Sequence, residues 1–162
     1  MTSAAPWTGQ QGWHRADWGA FGLAETVIKL IGIAVAVVAA LGGGSFSVAT
    51  DDRAAYWLLV AAAVGYVLAV VDRLQDRELT AMVFWALMVV GHLAMVYAAG
   101  DAAWPRTAVV LFALAMAAGD AIKVGFFVIT GARVRDLPRW LPIAMTGVLL
   151  VLYLAIVVLA LA

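Results

Sequence analysis

The stretch DDRAAYWLLVAAAVGYVLAVVDR, residues 51–73, decides the fold of this chain. Its central residues, 54–71, carry no formal charge, and Asp and Arg stand at both ends. A helix rises about 1.5 Å per residue, so about 20 apolar residues cross the hydrocarbon core of a bilayer. The stretch therefore predicts a transmembrane α-helix with charged ends.

Four further segments outside this stretch have the same length and apolar character. Residues 79–100 and 141–162 carry no formal charge, whereas residues 21–41 and 107–129 each contain one acid and one base. Together with the first stretch they predict five transmembrane helices. The expected fold is an all-α, polytopic integral membrane helical bundle.

The composition agrees with a membrane protein and excludes several other classes. Hydrophobic residues make up 66% of the chain and charged residues 12%, against about 25% charged in a soluble domain, so too little polar surface exists for a soluble globule or a nucleic-acid partner. The net charge is zero, and the absence of cysteine excludes disulfides, thiolate zinc sites and iron–sulfur clusters. We expect no cofactor and no metal site.

The predicted organisation is an N-terminal interfacial segment, residues 1–20, followed by one five-helix domain, residues 21–162. Residues 30–40 could instead be the apolar part of a signal peptide, but Glu25 and the long preceding segment argue against this alternative. Basic residues concentrate in cytoplasmic loops, which predicts that the N-terminus lies inside and the C-terminus outside. We expect the membrane to be a bacterial plasma membrane. Six arginines support this orientation (Arg15, Arg73, Arg77, Arg133, Arg135, Arg139) and two oppose it (Arg53, Arg106).

Small residues recur at four-residue spacing on three of the predicted helices. Membrane helices associate by close packing, which small side chains permit, so these positions are candidate helix contacts. Five helices offer little interior for so many small faces, and at least one face is expected to meet another chain. The candidates are Gly32, Ala36, Ala40, Ala61, Gly65, Ala69, Ala113 and Ala117.

Four charges fall inside predicted spans and form two acid–base pairs. Glu25 and Lys29 are spaced i,i+4, and Asp120 and Lys123 are spaced i,i+3. With the first helix running outward and the fourth inward, Lys29 could reach Asp120 and Lys123 could reach Glu25. His92 lies at a similar height to Asp120, so the five residues could be structural ion pairs, a proton or cation path, or a docking surface.

No catalytic motif accompanies these residues, and the sequence favours a non-catalytic role. The leading hypothesis is a small non-catalytic subunit of a larger membrane assembly, with the bilayer, copies of itself or other membrane subunits as partners. The first alternative is a homo-oligomeric channel or a proton- or cation-coupled transporter that uses Glu25, Lys29, His92, Asp120 and Lys123. The second is an intramembrane enzyme in which Asp120 and His92 act on a lipophilic substrate.

Overall fold

The computed structural model describes residues 20–41, 53–75, 79–99, 105–130, 138 and 140–162. The predicted interfacial segment, residues 1–20, lies outside the described residues except for its last residue. Within the described part of the chain, all regular secondary structure is α-helical. The prediction of an all-α bundle is confirmed for these residues.

The described residues form five α-helices, one at each predicted span. The second helix continues to Gln75, about one turn past the apolar run, because a helix satisfies its own backbone hydrogen bonds and need not stop at Asp72. The fourth begins at Pro105, a position where the missing N–H costs no hydrogen bond. In chain order they are α1 (Ala20–Leu41), α2 (Arg53–Gln75), α3 (Leu79–Ala99), α4 (Pro105–Thr130) and α5 (Trp140–Leu161).

Two glycines allow α3 and α4 to approach closely. A Cβ added at Gly91 would lie 3.1 Å from Met116 Sδ, and one added at Gly119 would overlap Met88 Cε. Gly91 of α3 lies against Met116 of α4, and Met88 of α3 lies against Gly119 of α4, so the two helices are antiparallel. Methionine side chains fill the space that each glycine leaves open.

The two central helices of the bundle are α3 and α4. α3 packs against α4 and α2, and α4 also packs against α5. α1 packs against α5 and α4, and to a lesser extent against α3. α2 packs mainly on α3, which leaves it at the edge of the bundle. The core at the centre is aromatic and sulfur-rich, with Phe84, Trp85, Met88, Phe112 and Met116 each no more than 1% exposed.

The outer surface of the bundle is apolar on every helix. Ile129 is 86% exposed and Val158 is 68% exposed. An apolar surface of this extent is unfavourable in water. Four helical segments are long and apolar enough to cross a membrane, which makes the chain an integral membrane protein. These segments are Tyr56–Gln75, Leu79–Ala98, Arg106–Thr130 and Trp140–Leu161.

Candidate functional site

Four charged side chains from α1 and α4 meet in the interior of the bundle. Glu25 and Lys29 come from α1, and Asp120 and Lys123 come from α4. Each is at most 5% exposed within the single chain. We call these four residues the charged cluster.

The charged cluster contains contacts between the two helices and one contact within α1. Lys29 Nζ lies 2.5 Å from Asp120 Oδ1 and 2.8 Å from Glu25 Oε1. Lys123 Nζ lies 3.3 Å from both carboxylate oxygens of Glu25. Both interhelical pairings expected from the sequence therefore occur, and the local i,i+4 pair of Glu25 with Lys29 occurs as well.

Helix geometry explains why these four residues meet. Glu25 and Lys29 lie one turn apart along α1, and Lys123 and Asp120 lie about one turn apart along α4. Because the two helices are antiparallel, each base stands level with the acid of the other helix. Two positive and two negative charges then neutralise one another, which avoids the cost of an isolated charge in a low-dielectric interior.

An aromatic ring from α3 closes one side of the charged cluster. The ring centroid of Phe84 lies 5.0 Å from Lys29 Nζ and 5.1 Å from Lys123 Nζ. Both ammonium groups can therefore interact with the π-electrons of one ring. The role of Phe84 does not follow from the sequence, because nothing in an apolar helix distinguishes this phenylalanine from other core aromatics.

His92 lies on α3 beside the rings of two neighbouring helices. Its ring centroid is 4.7 Å from that of Tyr66 and 5.9 Å from that of Phe112. Its Nδ1 is 2.9 Å from the carbonyl oxygen of Met88. Because a carbonyl can only accept, Nδ1 carries the proton and donates, and Nε2 of the neutral ring is an acceptor.

Two buried tyrosines, Tyr66 on α2 and Tyr153 on α5, were also missed by the sequence analysis. They are 3% and 0% exposed. A sequence signal existed, because tyrosines of membrane proteins concentrate at the interfaces and these two lie in mid-helix. Neither hydroxyl has a hydrogen-bond partner among the described residues, and the same is true of Asp120 Oδ2 and His92 Nε2.

The small residues expected at helix contacts divide into two groups. Those of α1 and α4 pack within the chain: a Cβ at Gly32 would lie 3.0 Å from Phe112 Cζ, and Ala36 and Ala113 are fully buried. On α2, by contrast, a Cβ at Gly65 would meet nothing within 4 Å. Of the remainder, Ala117 is buried, Ala40 and Ala69 are partly buried and Ala61 is exposed.

The chemistry available in the bundle is that of carboxylates, amines, one imidazole and two phenols. Among the described residues, no group of three His, Asp or Glu side chains could hold a metal ion. Glu25 and Asp120 both contact Lys29, so this cluster holds groups that can bind and release protons and exchange hydrogen bonds. Function is inferred from this geometry, since no family model, curated protein or solved structure matches the chain.

Proposed function

We propose that the protein crosses a bacterial plasma membrane five times, with its N-terminus inside and its C-terminus outside. The four apolar spans support this topology, and α1 adds the fifth crossing. α1 has 22 residues, packs beside three of the spans and exposes apolar side chains such as Leu30 and Val38. A helix packed alongside spanning helices with lipid-compatible side chains is expected to cross with them.

Cysteine labelling tests this topology without a background correction, because the chain contains no cysteine. We expect an impermeant maleimide to label Ala162→Cys on intact cells and to label Ser3→Cys only after permeabilisation. Equal labelling of both variants on intact cells would mean an even number of crossings and would reject the proposal.

We propose further that the charged cluster is a proton-binding site that serves proton-coupled transport. One observation carries this proposal: Asp120 is fully buried, its Oδ1 binds Lys29, and its Oδ2 has no partner among the described residues. A purely structural ion pair is stable when additional hydrogen bonds satisfy its remaining lone pairs. A buried carboxylate with spare acceptor capacity, in a bundle that also buries an imidazole, has instead the composition of intramembrane proton relays.

Proton flux into reconstituted vesicles tests this function. A potassium gradient with valinomycin provides the driving force, and an enclosed pH dye measures proton entry. We expect pH-dependent flux above that of protein-free vesicles, and its loss in Asp120→Asn. The control is Asp72→Asn, which makes the same chemical change at a residue that is 63% exposed, and it should keep wild-type flux.

A fold defect in the single variant is separated from a functional defect by a neutral double variant. Lys29→Met/Asp120→Asn removes one positive and one negative charge together, so the interior keeps zero net charge. We expect this double variant to fold and to conduct no protons. Absent flux in the wild type, or unchanged flux in the folded double variant, rejects the transport proposal.

The second candidate is the leading sequence hypothesis, a subunit of a larger membrane assembly or homo-oligomer. The observation that favours it is the position of α2, which packs mainly on α3 and leaves the side at Ala61 and Gly65 open. The four charges do not add to this candidate, since each is buried inside the single chain. Native mass spectrometry from membranes tests it, and a monomer with nothing bound rejects it.

Matched leucine substitutions sharpen that measurement. Gly65→Leu should dissociate an assembly that contacts α2, whereas Gly147→Leu on α5, where an added Cβ also meets nothing within 4 Å, should leave the assembly intact. Equal effects of the two variants would reject α2 as the contact face. The intramembrane-enzyme hypothesis stays a prediction from the sequence, to be tested by conversion of a lipophilic substrate.

A further inference from the structure

Four buried polar atoms, from four different helices, take no part in the salt bridges of the charged cluster. They are the hydroxyl oxygens of Tyr66 and Tyr153, Nε2 of His92 and Oδ2 of Asp120. Their side chains are at most 3% exposed. None of the four atoms has a hydrogen-bond partner among the described residues, although buried polar groups are almost always satisfied.

The four side chains belong to one neighbourhood of the interior. The ring of Tyr66 lies 4.7 Å from that of His92, and the ring of Phe112 lies 5.9 Å from His92 and 5.8 Å from Tyr153. Gly119, which precedes Asp120 on α4, packs on Met88 of α3, whose carbonyl oxygen accepts the hydrogen bond of His92. The four side chains therefore lie around the same part of α3 and α4.

The hydrogen-bonding capacity of these atoms defines what could satisfy them. Asp120 Oδ2 accepts, and His92 Nε2 accepts because Nδ1 donates to the Met88 carbonyl. The two phenol groups each donate one hydrogen bond and can accept others. The missing partner must therefore both donate, to the carboxylate and the imidazole, and accept, from the hydroxyls.

Charge decides between a neutral partner and a cation. The charged cluster already balances two ammonium groups against two carboxylates, so a bound cation would leave one net positive charge in a low-dielectric interior. Water is neutral, donates two hydrogen bonds and accepts two. Buried waters make about three hydrogen bonds each to groups of this kind.

We propose that internal water bridges Asp120 Oδ2, His92 Nε2 and the hydroxyls of Tyr66 and Tyr153, and we call this the hydrated site. His92 and Tyr153 stand about 13 residues, or about 20 Å, from the starts of α3 and α5, whereas Glu25 stands about 8 Å from the start of α1. The hydrated site thus extends the polar interior toward and past mid-membrane. Its use as a proton connection from Asp120 to His92 rests on the proposed transport function, but its hydration does not.

X-ray radiolysis in H₂¹⁸O tests the hydration directly on the full chain in lipid nanodiscs. Hydroxyl radicals form from water where it is bound and oxidise the side chains beside it. We expect Tyr66 and Tyr153 to acquire ¹⁸O several-fold faster than Phe127, an aromatic residue that is 2% exposed and lies two turns along α4 from Asp120. Labelling of both tyrosines no faster than Phe127 overturns the proposal.

A second variant tests whether the water bridges the two tyrosines. Tyr153→Phe keeps the ring and removes one of the four polar partners, so labelling of Tyr66 should fall several-fold. Unchanged labelling of Tyr66 overturns the bridged site. The outcome is independent of transport: labelling without proton flux keeps the hydrated site and rejects the transport proposal, and flux without labelling does the reverse.

Discussion

Removing Lys29 should cost more stability than any conservative change at the surface of the protein. Lys29 Nζ bridges Glu25 at 2.8 Å and Asp120 at 2.5 Å, so Lys29→Met breaks two contacts at once. Glu25 keeps Lys123, but Asp120 then has no ionic partner among the described residues. Breaking a buried pair by removing one partner costs about 3–5 kcal/mol, and we expect Lys29→Met to fall in that range.

Neutralising Asp120 together with Lys29 should recover much of the stability that Lys29→Met loses. Lys29→Met/Asp120→Asn restores zero net charge and leaves Glu25 paired with Lys123 at 3.3 Å. We expect the double variant to be at least about 2 kcal/mol more stable than the sum of the single effects predicts. Such a coupling exceeds the roughly 0.6 kcal/mol typical of interhelical hydrogen bonds in membrane proteins. A charge swap would be a poorer test, because it would put a carboxylate beside Glu25.

Reversible unfolding in mixed detergent micelles measures this coupling. Sodium dodecyl sulfate is titrated into dodecylmaltoside, and tryptophan fluorescence reports the transition. Asp72→Asn provides the baseline, since the carboxylate of Asp72 is 63% exposed and lies 3.7 Å from Arg73, and a pair with a solvent-exposed partner at this distance contributes at most about 1 kcal/mol. A coupling between Lys29 and Asp120 below about 0.5 kcal/mol would refute the assignment of a buried ion pair.

The same unfolding measurement checks three further predictions. Gly32→Leu should destabilise the chain by about 1–3 kcal/mol because its side chain would meet Phe112, whereas Gly65→Leu, which has open space around it, should change the stability of the monomeric chain by less than about 0.5 kcal/mol; equal effects would contradict the packing described for α1. Phe112→Ala should cost about 3–5 kcal/mol, since the ring is fully buried, and a cost below 1 kcal/mol would mean that the ring does not fill the core. Lys123→Met should cost less than Lys29→Met, because Lys123 contacts one carboxylate at 3.3 Å while Lys29 contacts two at shorter distances; the reverse order would be inconsistent with this geometry.

The helices were predictable because charge marks their ends so clearly. Each charge-bracketed apolar run, such as residues 54–71, became a helix in the structure. The ends were less predictable, since α2 continues past Asp72 to Gln75. Hydropathy records where the chain leaves the hydrocarbon, while the backbone stays helical for as long as its own hydrogen bonds are the best available.

The charged half of the site was predictable and the aromatic half was not. The spacings of Glu25 with Lys29 and of Asp120 with Lys123, together with the opposite directions of their helices, are sufficient to bring the four residues level. No comparable rule selects Phe84, because its helix is apolar around it, and the mid-helix position of Tyr153 marks it as unusual without saying which residues it meets. Which face turns inward is decided there by the detailed fit of side chains, as at Gly91 and Gly119, and periodicity does not encode that fit.

The small residues show the same limit in another form. Four-residue spacing predicts that a helix face can be approached closely, but it does not say by which helix. Gly32 is approached by Phe112 of the same chain, and Gly65 has open space around it. Identical patterns therefore have different outcomes, and the open face on α2 remains available to a second chain.

Neutrality of the charged cluster does not by itself distinguish structure from function. Two lysines balance two carboxylates, and such a set could do no more than hold α1 against α4. That role requires the contacts between Lys29, Asp120, Glu25 and Lys123, but it gives no reason for an imidazole and two phenols to be buried nearby at a cost in desolvation. A function is therefore favoured by the unsatisfied atoms at His92, Tyr66, Tyr153 and Asp120, and water between them would make the polar interior continuous.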